Sequence, residues 1–304
     1  MKSEIRKHYF LDKYVIFTPH RAKRPKGTIA KAVIIPEKTC PFCPDNIEKD
    51  LIIKGYPNLK KWQYLVLKNK YPVVTLDNEK AYGQHEVVIE TRDHLKQLSQ
   101  FSLEELIGLL NVYKDRVEKL SKIKNIEYVL VFKNEGPKAG ATIIHAHSQI
   151  FASKILPPDV VEEQASAKKY EAEKGNCPYC DILKKEEKGP RKIFANKEVV
   201  AFCPYASFYH YEAWILPRRH VDNITCLTKK ETFSFAEALK KILVKLFILN
   251  LEYNFFLHQI VNDPDQHFYL KIQPRESIWA GIELGSGLVV NSLLPEKAAK
   301  FYRK

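Results

Sequence analysis

The sequence predicts an α+β chain of two tandem units, each an antiparallel sheet carrying one long helix. Two observations predict it. A Cys-x-x-Cys pair occurs twice, as CPFC at 40–43 and as CPYC at 177–180. Each pair is followed by the same succession: a strand ending in His, a long amphipathic helix, a strand, a loop, and a second His-bearing strand. Recurrence of that order at similar spacing marks a duplicated unit. A chain of 304 residues has room for two units of about 150, each able to bury its own core. The expected division is 1–155 and 156–304.

In the first unit the strand HEVVIETRDH ends at His94, and a helix is predicted near Ser102–Ile123. Leu103, Leu106, Leu109, Leu110, Tyr113 and Val117 form one apolar stripe, Ser102 is an N-cap, and Glu105 stands at the capping-box position. The β-rich run EYVLVF follows, then the loop NEGPKAGAT, then a short apolar strand expected to end in HAHSQ at 145–149. In the second unit YEAWILPRRH ends at His220, and a helix is predicted near Thr228–Asn250. NFFLHQI and HFYLKIQPR, beginning at His267, complete the repeat. In both units a Glu (Glu86, Glu212) stands eight residues before the strand-terminal His. The polar stretch Leu156–Asn176 is the expected linker, partly helical.

Composition sets the class. Hydrophobic content is 45% and aromatic content 12%, as in globular proteins, and no run of about 18 apolar residues suggests a membrane span. The opening MKSEIRKHYFLDKYV lacks the apolar core of a secretory signal, so a cytoplasmic protein is expected. A net charge of +13 attracts anions: nucleic acid, anionic membrane or phosphorylated small molecules. The lysines are scattered, and no basic stripe with interleaved aromatics supports a zinc-bearing nucleic-acid-binding protein. Neither nucleic acid nor membrane is expected as a partner.

Six cysteines lie at 40, 43, 177, 180, 203 and 226. A reducing compartment argues against structural disulfides, leaving redox dithiol and metal site as readings of the two pairs. Neither pair sits in the βαβ setting of a thioredoxin-like motif. A metal site needs two further ligands per pair, which the repeated histidines supply. Cys203 and Cys226 lack partners at metal spacing and are expected to be buried thiols.

On a strand, alternate side chains share a face, so His145, His147 and Gln149 are expected to project together. The glycine-bearing turn before them suits close approach of backbone N–H groups to a phosphate. An imidazole and a neutral amide beside such a turn point to chemistry at phosphorus.

The motifs PHRAKRP at 19–25, CPFC, KNKYPVV at 68–74, HEVVIETRDH, NEGPKAGATIIHAHSQ at 134–149 and GIEL at 281–284 together resemble the galactose-1-phosphate uridylyltransferase family. This family is the nucleotidyltransferase branch of the histidine-triad superfamily, and the resemblance covers nearly the whole chain. It implies two tandem histidine-triad-like domains, the first catalytic. It implies one zinc on Cys40, Cys43, His94 and His145, and a second on Cys177, Cys180, His220 and His267. Some relatives hold iron at the second site; CPYC favours zinc here. By the resemblance His147 is the nucleophile, attacking the α-phosphorus of a nucleotide sugar to form a nucleotidyl-histidine. Its other ring nitrogen must then keep its proton against a carbonyl. Gln149 stabilises charge without donating a proton, which favours transfer over hydrolysis. Tyr269 and Lys271 replace His147 and Gln149 in the second unit, so one active site per chain is expected.

The resemblance further implies substrate contacts from Arg21, Arg24, Asn69, Asn134, Gly140, Thr142 and Glu283. Two departures bear on specificity. Asn69-Lys70-Tyr71 replaces the Asn-Asp-Phe of a typical uridylyltransferase, and Ile282 replaces a Tyr before Glu283. The implied reaction is ping-pong transfer of a nucleoside monophosphate, UMP in the parent family, to a hexose 1-phosphate in galactose metabolism. A phosphorylase using ADP-glucose and phosphate is the alternative. A homodimer is implied as well.

Overall fold

A computed structural model of the chain describes residues 3–23 and 35–304. In chain order the first part contains β1 (Glu4–Lys7), β2 (Tyr14–Phe17), β3 (Ile52–Tyr56), β4 (Tyr64–Lys68) and β5 (Gly83–Ile89). Next come α1 (Leu103–Ser121), β6 (Tyr128–Glu135), β7 (His147–Ser153), α2 (Pro158–Lys174) and α3 (Pro178–Glu186). They are followed by β8 (Lys192–Ala195), β9 (Val199–Phe202), β10 (Ala213–Pro217), α4 (Lys229–Ile248), β11 (Tyr253–His258) and β12 (Tyr269–Pro274). The chain closes with α5 (Gly281–Ser286), β13 (Val289–Asn291) and α6 (Pro295–Arg303).

The predicted helices form where their stripes and caps require. Ser102 accepts from the Glu105 N–H and Glu105 reaches back to the Ser102 N–H, closing the expected capping box on α1. Thr228 and Glu231 do the same for α4. The linker is α2, with Pro158 at its first position and Gly175 ending it in the left-handed region.

Each half supplies five strands and one long helix, and the ten strands form one sheet, in the order β3-β4-β5-β7-β6-β11-β12-β10-β9-β8. The halves meet through antiparallel pairing of β6 with β11, where Phe132 stands opposite Phe256 and Asn134 opposite Asn254. β2 pairs with β1 on one side and with β13 on the other in a small separate sheet, so the N-terminal strands join the C-terminal end of the chain.

Alternation decides what each face of the large sheet carries. Val88, Val131, Ile150 and Ala152 point to α1, and Ala213, Ile215, Phe255 and Leu270 belong to the same continuous core with α4. On the other face the second half is covered: Val200, Phe202, Trp214 and Tyr269 pack against Tyr179, Ile182 and Leu183 of α3. The corresponding face of the first half carries His147 and Gln149.

Buried charge is paired between α1 and the sheet. Glu86, fully buried, receives Arg116 Nε and Nη2 at 2.9 and 2.8 Å. Its repeat counterpart Glu212 instead accepts from Trp214 Nε1 and from the Phe208 and Tyr209 N–H groups, on the opposite face. The equal spacing of the two Glu residues from His94 and His220 is therefore not a structural equivalence. Val87, opposite Gln149, lies seven residues before His94, whereas Trp214, opposite Lys271, lies six before His220, and that one-residue shift turns the two Glu residues to opposite faces. Cys203 is buried as expected, but Cys226 is exposed, in a short turn with its Sγ 3.2 Å from Asp222 Oδ1.

Arg116→Met would leave the Glu86 carboxylate buried without its cation. The expected loss is about 3–5 kcal/mol, read as a lower midpoint in chemical denaturation; an unchanged midpoint would contradict it.

Candidate active site and metal centres

The HAHSQ segment does not end a strand; it starts one. β7 begins at His147, and His145 precedes it with its ring turned to the cysteines. The second half repeats this offset, since β12 begins at Tyr269, two residues after His267. Along β7, Ser148, Ile150 and Ala152 face α1, so His147, Gln149 and Phe151 share the other face.

Both expected four-residue sets assemble. Cys40, Cys43, His94 and His145 place one ligand atom each within 4.8 Å of one another, and all four are buried. Cys177, Cys180, His220 and His267 gather as closely, with His267 buried and the other three half-buried. In the first set Cys43 Sγ lies 3.4 Å from His94 Nδ1 and 3.6 Å from His145 Nδ1, and Cys40 Sγ lies 3.7 Å from His145 Nδ1. In the second, Cys180 Sγ lies 3.7 and 3.6 Å from Nδ1 of His220 and His267. A tetrahedral zinc with ordinary Zn–S and Zn–N bonds requires S···N edges of about 3.6 Å, so these sets fit it. Every one of the four histidines presents Nδ1 inward and donates Nε2–H to a backbone carbonyl: Ile35, Thr91, Pro264 and Pro217. Those carbonyls fix tautomer and ring orientation.

His147 is nine-tenths buried. Its Nδ1–H donates to the His145 carbonyl at 2.9 Å, the kind of partner the sequence required, which leaves Nε2 with its lone pair. Burial, and then the positive charge of Lys133, lower its pKa to about 4, so the ring is neutral near pH 7. Phe42, from the CPFC loop, packs on the ring with centroids 4.9 Å apart.

Beneath the strand lies a network that sequence reasoning missed. Lys133 Nζ, fully buried, donates to Glu90 Oε2 at 2.7 Å and to the His147 carbonyl at 3.0 Å. Tyr113 of α1 ties Glu90 and Ser148 together: its one O–H donates to the Glu90 carboxylate at 3.1 Å, and its oxygen accepts from the Ser148 hydroxyl at 2.8 Å. The signal was present: alternation along β6 puts Val129, Val131 and Lys133 on the core face, and a lysine there needs a buried partner.

The expected binding residues divide. Asn69 Nδ2 donates to Gln149 Oε1 at 3.3 Å, and Asn134 lies beside Gly140. Asn254 of the second half, also missed, donates to Asn134 Oδ1 at 2.8 Å and to the Ala139 carbonyl at 2.7 Å. Gly136 and Gly140 take positive φ of 81 and 91°. The turn spends the Ala139, Gly140 and Ala141 N–H groups on the carbonyls of Gly136 and Pro137, so these three are not free phosphate donors. Thr142 is exposed. Arg21 is exposed, just beyond β2 of the small sheet, and Glu283 in α5 accepts from the Ala280 and Val290 N–H groups. Neither makes a hydrogen bond or ion pair to His147 or Gln149. Arg24 lies outside the described residues.

The family described as "Domain of unknown function (DUF4931) N-terminal domain" matches residues 22–156. Over 99% of this chain and 92% of the relative, the sequence is 30% identical to ADP-glucose phosphorylase of Arabidopsis thaliana. Over 99% of this chain and 98% of the relative, it is 31% identical to galactose-1-phosphate uridylyltransferase of Thermotoga maritima. The crystal structure of the Arabidopsis ADP-glucose phosphorylase with bound ADP-glucose superimposes with a TM-score of 0.88 at 31% identity, covering 100% of this chain and 99% of that one. Fold, Cys/His sets and relatives together define an enzyme of the nucleotidyl-transferring histidine-triad class. Within that class, the chain belongs to the galactose-1-phosphate uridylyltransferase family.

Metal analysis should find two zinc ions per chain, one for each set. His145→Ala should lower the content to one and depress the melting temperature. His147→Gly, which removes no ligand, should retain both. Loss of metal from His147→Gly would reverse the assignment of the two histidines.

Proposed function

We propose that the protein moves a nucleoside monophosphate from a nucleotide sugar to a hexose 1-phosphate through a covalent intermediate on His147, with UMP as the group moved. The observation that carries this reading is the His147 Nδ1–H bond to the His145 carbonyl, which leaves Nε2 as a neutral nucleophile. Nε2 attacks the α-phosphorus; the N–P bond forms as the bond from that phosphorus to the bridging oxygen breaks. The departing oxygen leaves with the sugar 1-phosphate. A phosphate oxygen of the acceptor then attacks the same phosphorus, and the electron pair returns to Nε2.

Gln149 presents an amide to the developing charge on phosphorus and supplies no proton. A phosphate leaving group needs little acid assistance, and water gains no general base at this position. Asn134 and Thr142 are assigned to the phosphates and ribose, Gly140, whose N–H is spent in the turn, to close backbone approach there, and Asn69 to the nucleotide side. Arg21, Arg24 and Glu283 are assigned to substrate by the family resemblance alone. The zinc sets would be structural, the first fixing the segment that enters β7. The resemblance also supports a homodimer in the cytoplasm, acting on free sugar phosphates.

A second reading has its own support. Lys70 stands where a typical uridylyltransferase has an Asp, and its ammonium is engaged by Glu48 at 2.5 Å. An adenine nucleotide with inorganic phosphate as acceptor fits a site lacking that carboxylate, and ADP-glucose phosphorylase is among the close relatives.

Labelled UDP-glucose and ADP-glucose, offered separately without acceptor, separate the readings. The productive donor should leave acid-labile, alkali-stable label on the protein and release about one sugar 1-phosphate per active site in a burst. Addition of hexose 1-phosphate or of phosphate should restore steady turnover, and whichever does so identifies the acceptor. Steady hydrolysis with no acceptor would overturn transfer altogether.

His147→Gly should reduce turnover by more than about 10³-fold. Retention of more than a few per cent of the activity would remove His147 from the mechanism.

A further inference from the structure

We infer that His85 is a positioning residue for the transfer: it holds the Gln149 carboxamide with its NH2 group turned toward the phosphoryl oxygens. This rests on the role of Gln149 proposed above and adds a residue to it.

The argument is one of donors and acceptors. His85 and Gln149 share one sheet face, in neighbouring strands β5 and β7, where His85 pairs with Phe151 and Val87 with Gln149. His85 Nε2 lies 2.9 Å from Gln149 Oε1, and Asn69 Nδ2 lies 3.3 Å from the same oxygen. Heavy-atom positions alone do not orient an amide or choose a tautomer. Here two backbone N–H groups, which can only donate, make the choice. The Tyr71 N–H points at Asn69 Oδ1 at 2.9 Å, so Asn69 must turn its NH2 toward Gln149. The Val73 N–H points at His85 Nδ1 at 3.5 Å, so that nitrogen carries the lone pair and Nε2 carries the proton.

Both neighbours of Gln149 are therefore donors. Its Oε1 accepts from both, and its NH2 faces away from them. The flipped amide would set N–H groups against N–H groups in a half-buried place, losing two bonds and creating unsatisfied donors. Burial also lowers the pKa of His85, which keeps Nδ1 free to accept. The ring is braced in place, 6.5 Å from Phe132 and 6.3 Å from Phe151 between centroids. A glutamine side chain has two amide orientations of equal shape; the loop at 69–73, acting through His85 and Asn69, selects the one that presents a donor.

The test compares His85→Phe, which keeps the ring but has no donor, with His85→Gln, which can donate. The readout is the single-turnover rate of label transfer from the productive nucleotide sugar to the protein, together with KM for that donor. His85→Phe should slow transfer about tenfold, less than loss of a direct oxyanion donor, with KM changed by less than about twofold. His85→Gln should recover most of the rate. In a Gln149→Ala background His85→Phe should have no further effect, because its action passes through the amide. Thermal melts and zinc content establish that each variant is folded.

A wild-type rate in His85→Phe, or a loss that adds to that of Gln149→Ala, would overturn the inference while leaving the nucleotidyl-histidine mechanism standing. Equal losses in His85→Phe and His85→Gln would overturn it too, since they assign His85 a proton rather than a hydrogen bond. A wild-type protein that takes up no label from either donor would overturn the proposed function and, with it, this refinement.

Discussion

One residue, His145, joins the structural and the chemical halves of the site. Its side chain is a corner of the first Cys/His set, and its carbonyl takes the Nδ1 proton of His147. A metal-anchored side chain fixes the backbone around it, and the backbone fixes which nitrogen of the next histidine is bare. The same loop that supplies Cys40 and Cys43 lays Phe42 on the His147 ring. From below, Lys133 grips the His147 carbonyl and is held by Glu90, which Tyr113 of the long helix holds in turn. His147 is thus held at its carbonyl, at Nδ1 and across its ring, so the mechanism proposed above would leave little motion to be frozen on reaction.

The second half shows what the same template does without that demand. Tyr269 replaces His147 and is buried, donating its hydroxyl to Glu163 at 2.9 Å. Glu163 belongs to the linker helix, and it also accepts from Tyr179, so α2 and α3 close the face that remains available in the first half. Burial raises the Tyr269 phenol pKa well above its usual range, and this hydroxyl acts as a hydrogen-bond donor rather than a nucleophile. Lys271, at the position of Gln149, sits among Trp214, Phe256 and Tyr269 with its ammonium 5.2 to 5.6 Å from their centroids. The four-residue Cys/His set recurs here, beside a strand that carries neither the imidazole nor the amide of the first half.

Much of this was legible because it depends on local rules. Helix stripes and capping boxes are written within four residues, so α1 and α4 appear where Ser102 and Thr228 begin them. The two Cys/His sets are long-range in space, yet the duplication displays each ligand twice. What was not legible depends on register. Nothing local says that β7 starts at His147 rather than ending near it, because apolar residues flank HAHSQ on both sides. Nor does spacing say that Glu86 and Glu212 face opposite ways; a one-residue difference in the distance from strand register to histidine decides that. The partners of Lys133 and the reach of Asn254 emerge only once β6 lies between β7 and β11. Position 226 misled because a cysteine is usually a small buried hydrophobe, and here a short polar turn holds it at the surface.

The seam between β6 and β11 carries a consequence for how such a chain came to exist. Phe132 stands opposite Gln149, and Phe256 opposite Lys271, so Phe132 and Phe256 are counterparts in the repeat. They also stand opposite each other. A pair of equivalent residues meeting face to face lies on a pseudo-twofold axis, the arrangement by which two identical subunits form a closed, self-complementary contact. The chain therefore has the internal geometry of a twofold dimer, with its two halves joined end to end by α2. Symmetric subunits must mutate together; tied ones need not. Here the halves do differ: the first carries His147 where the second carries Tyr269, and the second reaches Asn254 across the seam to Asn134.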